Sequence, residues 1–288
     1  MSTSVLFDAP GPRTIRRHRV YTVVSVLVLL VLVGLAVWKL WAEDQLEYDK
    51  WETFVTPRYI SALLVDGVLT TLSMAGAAIL GAVVLGLGLG LGKLSDHRPV
   101  RWVCFLLVEF FRAVPVLLLM VLIFYTWGIT RDSSGAYWSV VGALVLYNGA
   151  VLAEIFRAGM NAVPRGQSEA AYALGMRKTQ VVWVIQLPQA VKIMVPVIIS
   201  QCVVALKDTS LGYAVASPGL TQVGRGIYQQ FQNQVPTIIV IALLYIAMNT
   251  VLTMVATWIQ RRYVGETNPI ELTRAGNMDG GQNTGGAL

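Results

Sequence analysis

The sequence predicts an all-α membrane protein of six transmembrane helices, with a polar loop between the fourth and the fifth. Three observations carry that expectation. Of 288 residues, 55% are hydrophobic and 13% charged, where a soluble domain is about a quarter charged. The apolar residues gather into runs long enough to cross a hydrocarbon core, which takes about 20 residues in a helix. Basic clusters and an acidic segment alternate at the ends of these runs, as positive-inside topology requires. The net charge of +6 therefore reflects topology: the basic residues form no single stripe, so membrane lipid is an expected partner and nucleic acid is not.

Residues 1–19 form a basic tail carrying Arg13, Arg16, Arg17 and Arg19. The first apolar run, Tyr21–Trp38, is too long for the core of a signal peptide and lacks a small-residue cleavage site. It ends in Trp38-Lys39-Leu40-Trp41, interfacial residues that suit a retained span. The next segment is acidic (Glu43, Asp44, Glu47, Asp49, Glu52) and belongs outside. Residues 20–58 thus make an extra N-terminal unit, and the N-terminus is expected in the cytoplasm.

The second run, Ile60–Leu91, is longer than a bilayer needs and is expected to tilt. It stops at a basic hairpin, Lys93–Arg101, on the inside. Gly86, Gly88, Gly90 and Gly92 precede Lys93, but a phosphate-binding loop needs Gly-x-x-x-x-Gly-Lys-Ser/Thr. Positions 87 and 94 are both leucine, so the pattern fails at each end. The glycines suit close helix packing instead, and no ATP site is expected on this chain.

The third span is Trp102–Trp127 and the fourth Tyr137–Glu154, joined by a short outer loop, Gly128–Ala136. Glu109 and Arg112 share a helix face in the third, and Glu154 and Arg157 repeat that spacing at the end of the fourth. Both read as structural ion pairs, since no further ionisable residue extends either into a relay. Cys104 and Cys202 lie in apolar runs, without metal or disulfide spacing, and read as buried thiols. His18 and His97 sit in basic flanks. A membrane enzyme would cluster such residues at one depth, and a stand-alone transporter or channel would thread charges through several spans; neither pattern is evident.

The polar loop opens at Glu154 and ends at Leu211. A small-residue helix is expected over Ser168–Leu174, closed by Gly175 in the left-handed conformation. A second short helix is expected over Thr179–Leu187, with Thr179 as its N-cap and Pro188 as its stop. The fifth span, Val191–Leu206, is interrupted by Lys207, Asp208, Thr209 and Ser210 before apolar character resumes. Ser217–Val235 suits an outer re-entrant or surface segment. Pro236–Ile259 is the sixth span, stopped by Arg261 and Arg262 on the inside, and residues 263–288 are expected to be a disordered cytoplasmic tail.

The loop resembles the EAA loop of ABC-importer permeases, whose pattern is Glu-Ala-Ala, three residues, Gly, nine residues, then Ile-x-Leu-Pro. Every fixed position is filled here: Glu169, Ala170, Ala171, Gly175, Ile185, Leu187 and Pro188. From about Asp66 to Arg262 the chain is similar to the polar amino-acid subfamily of these permeases. Gly67, Thr71 and Leu72 match its core start, Glu109, Arg112 and Pro115 its Glu-x-x-Arg-x-x-Pro, Glu154–Gln167 the run into the loop, and Lys207–Leu211 its Lys-Asp-Thr-Ser-Leu. The overall look is closest to permeases of actinobacterial glutamate uptake systems. Residues 59–262 would then be the permease core, and the first span and long tail departures from a five-span pattern.

The resemblance implies an amino-acid importer of the cell membrane that works by alternating access. Its partners would be a second permease subunit, cytoplasmic ATP-binding subunits holding the ATP and magnesium, and an extracytoplasmic solute-binding protein. The EAA loop would be a lever into a cleft of the ATPase. Ala170 and Ala171 would permit close approach, Glu169 offer a directional contact, Gly175 set the angle, and Ile185 and Leu187 hold the lever to the bundle. At Lys207–Ser210, an unwound helix with one ammonium and one carboxylate would meet both charges of an amino acid. Alternatively Asp208 caps a following half-helix while Lys207 reaches the outer interface.

Overall fold

The computed structural model describes residues 12–263, and every regular element among them is helical. The first part of the basic tail and nearly all of the expected disordered tail lie outside the described residues. Among the described residues five helices are long and apolar enough to cross a membrane: α1 (Arg13–Ala42), α3 (Pro57–Lys93), α6 (Ser134–Ala162), α8 (Lys178–Val215) and α10 (Gln234–Arg262). The sixth candidate is a bent pair, α4 (Arg98–Ala113) and α5 (Val116–Gly128). Shorter helices are α2 (Tyr48–Glu52), α7 (Arg165–Ala173) and α9 (Leu220–Phe231).

The third span departs from the straight crossing expected over Trp102–Trp127. Its two halves meet at 98°. The cause is local: Val114 precedes Pro115 and takes an extended conformation, ψ 127°, because the proline ring disfavours the helical region for the residue before it. The Val114 N–H still closes α4 onto Phe110 O, and the Leu118 and Leu119 N–H groups open α5 onto Pro115 O.

None of the apolar stretch of α1 is buried. The core begins at α3, which pairs most extensively with α6. Residues four apart on α3, Ala78, Ala82, Gly86 and Gly90, are all buried and present a small-residue ridge. A Cβ at Gly86 would lie 2.7 Å from Leu152 Cβ and 3.0 Å from Gly149 O on α6, so the two backbones meet where only hydrogen fits. Gly90 faces the same helix, Gly92 faces Cys104, and Gly88 faces open space. Cys104 and Cys202 are free and only half-buried, which corrects the expectation of buried thiols.

We expect Gly86→Leu to overpack this seam by about 1–3 kcal/mol. The midpoint of thermal unfolding in detergent should fall, while Gly88→Leu leaves it in place.

Among the described residues four apolar clusters form the core, the smallest being Val108 with Ala150 and Ala153 between α4 and α6. Met74, Met120, Val140 and Leu144 fill one end. Leu152, Phe156, Met160 and Met194 fill the other. Leu63, Leu206, Leu220 and Met248 lock α9 and α10 to α3 and α8. The segment expected to be re-entrant or superficial thus contains a helix, α9, docked on the bundle. The Leu220 N–H donates to Thr71 Oγ1 at 2.9 Å, and Asn233 Nδ2 donates to Lys50 O at 2.9 Å.

Candidate functional site

Two regions hold the predicted site residues. The first is the connection from α6 through α7 to α8. The helix here is Arg165–Ala173, starting three residues before the expected Ser168, just after Pro164. It closes as a Schellman motif: the Gly175 N–H bonds Tyr172 O at 2.9 Å and the Met176 N–H bonds Ala171 O at 3.2 Å. Gly175 has φ +80°, a conformation in which a Cβ is strained.

Beyond Met176 the chain does not form the second isolated short helix that the sequence suggests. From Lys178 the helix runs through Pro188 and Pro196 to Val215 without a stop. The π-turn Val181–Gln186 lies immediately ahead of Pro188. It opens the backbone where the ring would otherwise crowd the carbonyl of Val184, so the proline is absorbed. Thr179 is inside the helix rather than its N-cap. The N-terminus is closed at Arg177, whose N–H donates to Gln180 Oε1 at 2.8 Å.

On α7, Glu169, Ala170, Tyr172 and Ala173 are exposed, and Leu174 beyond its end is 84% exposed. Ala171 is 4% exposed and packs inward, so of the two alanines only Ala170 offers close approach to another molecule. Gln186 Nε2 on α8 donates to Ser168 Oγ at 2.9 Å, which ties α7 to the next helix. Leu187 packs against the cluster around Phe156, while Ile185 is half-buried and Pro188 exposed. Sequence reasoning passed over Leu174. The signal was there: a leucine at the exposed tip of a helix, one residue before its closing glycine.

The charged residues near this end form a network across three helices. Glu109 Oε1 is 3.4 Å from Arg112 Nη1 on α4, and Arg157 Nε donates to Glu154 Oε1 at 2.8 Å on α6. Lys93, at the end of α3, lies between the pairs: its Nζ is 2.6 Å from Glu154 Oε2 and 3.7 Å from Glu109 Oε1. Nothing in the sequence paired Lys93 with residues so distant along the chain. In the adjoining hairpin Asp96 is paired with Lys178, whose ammonium holds the Asp96 carboxyl below the usual carboxylate range.

The second region is a cavity of about 650 Å³ between α8 and α10. Lys207 and Ser210 line it from α8, and Tyr245, Asn249, Thr250 and Thr253 from α10. Asp208 and Thr209 do not line it. The backbone at Lys207–Ser210 is not unwound, because the α-helix tightens into a 3₁₀ turn over Thr209–Val215. On a continuous helix adjacent side chains diverge by about 100°, so Lys207 and Asp208 face different surroundings. Asp208 caps nothing. Thr209 is buried, and its hydroxyl bonds Leu206 O at 2.6 Å and lies 3.4 Å from the Tyr245 hydroxyl.

Among the described residues no carboxylate lines this cavity. Its volume is that of a small-molecule site. Asn249 donates to Tyr245 O at 2.7 Å, but its Oδ1 is buried without a partner. Such an orphan acceptor is costly and favours the arrival of a donor.

Residues 82–265 match the family described as binding-protein-dependent transport system inner membrane component. The glutamate transport system permease protein GluD of Corynebacterium glutamicum is 40% identical over 221 residues, 76% of this chain and 81% of that one. The probable glutamine ABC transporter permease protein GlnP of Bacillus subtilis is 33% identical, over 70% of this chain and 94% of that one. The crystal structure of an amino acid ABC transporter with histidines superposes with a TM-score of 0.65 at 27% identity, covering 71% of this chain and 95% of the other.

Proposed function

The chain belongs to the binding-protein-dependent transport system inner membrane components as a permease of an ABC-type amino-acid importer, and on that footing we propose that it carries glutamate. The observation that carries this reading is the cavity between α8 and α10, with one ammonium, four hydroxyls and no carboxylate among its lining residues. Lys207 would take a carboxylate of the substrate, and the hydroxyls of Ser210, Tyr245, Thr250 and Thr253 its remaining acceptors. Asn249, whose amide oxygen lacks a partner, lines the same wall and is an acceptor available to the substrate ammonium. A cationic amino acid would ask for a carboxylate in place of Lys207. The glutamate permease of Corynebacterium supports the same assignment.

In this reading the chain hydrolyses nothing and holds no cofactor. ATP and magnesium belong to cytoplasmic subunits that grip α7 through Ala170, Tyr172 and Leu174. A second permease subunit covers the open side of the cavity, and a solute-binding protein delivers substrate from outside. Uptake of a labelled amino-acid panel by cells lacking the gene tests the specificity. Glutamate uptake should be lost and return with the gene, whereas loss of a cationic amino acid alone would refute the assignment.

We place the α7 end in the cytoplasm, because Lys93–Arg101 and Arg261–Arg262 lie at that end while the acidic segment Glu43–Glu52 lies at the other. In a background with Cys104 and Cys202 replaced, Asp49→Cys should react with an impermeant thiol reagent in intact cells. His97→Cys should react only after the membrane is opened. The reverse pattern would invert the topology.

A further inference from the structure

Lys93 lines neither the cavity nor the exposed face of α7, yet its side chain is only 5% exposed and carboxylates flank it. It ends α3 and reaches Glu154 on α6, the helix that runs through Val163 and Pro164 into α7. It also faces Glu109, and its Nζ lies 5.1 Å from the centre of the Phe105 ring on α4. A little further on, Asp96 pairs with Lys178, the first residue of α8, the helix that leaves α7. One short hairpin, 93–98, is thus tied by opposite charges to both helices between which α7 is slung.

We propose that this hairpin is a brace for energy transfer, with Lys93 and Asp96 as positioning residues that hold the two roots of α7 in register. The proposal rests on the reading of α7 as the element gripped by the ATPase. A push on α7 can be absorbed by bending at its roots or passed on to α6 and α8, and fixed roots favour the second course. Apolar contacts permit sliding, whereas a buried ammonium that leaves its carboxylates is left as an uncompensated buried charge, at a large cost. The Asp96–Lys178 contact is exposed and adds little stability, so its contribution is to register. A cavity of about 470 Å³ separates the hairpin from α8 beside this contact, lined by His97, Trp183 and Gln186 among others. Leu94 of the hairpin packs against the cluster that includes Ala190 and Met194 of α8, and the ion pair adds a tie across the gap.

The test is the number of amino-acid molecules imported per ATP by the complete complex in proteoliposomes. Lys93→Met should lower that ratio about tenfold, the scale of an ordinary coupling energy, with the ATPase subunits still bound, and Lys93→Arg should keep it. Asp96→Lys should lower it too, and adding Lys178→Asp should restore it, with equal amounts of assembled complex in all three, so that the change in ratio reports coupling and not assembly. A normal ratio in Lys93→Met, or a double variant no better than Asp96→Lys, overturns the brace. Should Lys93→Met fail to reach the membrane, the surface exchange decides by itself. Gly175→Val separates the two readings: if it uncouples while the hairpin variants do not, only the brace fails, and if it too is coupled, the role of α7 fails.

Discussion

Gly175→Val is expected to leave the protein in the membrane and to cut ATP-driven uptake by on the order of a hundredfold, the upper range of a coupling energy. The substitution meets no steric obstacle, since no atom lies within 4 Å of the position a Cβ would take. Its effect acts through the backbone. At φ +80° a residue with a Cβ costs about 1–2 kcal/mol, and a β-branched one is a genuine outlier. The chain relieves that cost by rotating out of the left-handed region, which breaks the Gly175–Tyr172 and Met176–Ala171 bonds and re-aims α7 against α8. Gly175→Asn tolerates the same conformation and should retain most of the activity. Immunoblots of membranes and labelled uptake in the same cells separate folding from coupling, and normal uptake by the valine variant would remove α7 from the mechanism.

The second large effect is expected at Lys207→Met. The methionine keeps the length of the stem and removes the ammonium from the cavity shared with Tyr245 and Asn249. A hydrogen bond to a charged group contributes about 1.5–3 kcal/mol, so the apparent affinity for glutamate should weaken by about 10–100-fold. Discrimination between glutamate and its uncharged amide should shrink with it. Asp208→Asn is the contrasting variant: Asp208 does not line the cavity, so its apparent affinity should stay near the parent value. Kinetics over the amino-acid panel distinguish these outcomes, and unchanged affinity in Lys207→Met would return the residue to a structural role.

These expectations differ in how much of them the amino-acid order discloses. The spans are legible because a helix in lipid must be apolar over a fixed length, and Tyr21–Trp38 or Pro236–Ile259 can hardly be anything else. Gly175 is legible because a left-handed helix end selects glycine so strongly. The bend at Pro115 is signalled by the proline, but its size depends on how α4 and α5 pack on α6, which no local pattern encodes. Pro188 misleads in the opposite sense: a proline normally ends a helix, yet α8 continues through it, with a π-turn just before to make room for the ring.

The candidate site divides in the same way. The α7 residues are consecutive, so their motif is visible as a string. Lys207 stands out as a charge in an apolar run. Tyr245 and Asn249 do not, since a tyrosine and an asparagine on the sixth span have no pattern until α10 is laid beside α8. Lys93 reads, in the sequence, as the first residue of a solvated basic hairpin. Its burial comes from the small-residue ridge that draws the end of α3 against α6 and brings Glu154 to within 2.6 Å. Pairings across such distances in the chain are set by tertiary packing, and a single sequence carries no trace of them.

All of this stands on one claim, that the chain imports glutamate by drawing on ATP hydrolysed by bound subunits. The most direct measurement uses the complex purified with its ATPase subunits and placed in proteoliposomes, with ATP trapped on the α7 side and the binding protein on the other. Labelled glutamate should accumulate inside above its outside concentration, only with hydrolysable ATP and only with binding protein present. Accumulation without ATP, driven by an ion gradient alone, would contradict that claim and make the chain a transporter in its own right.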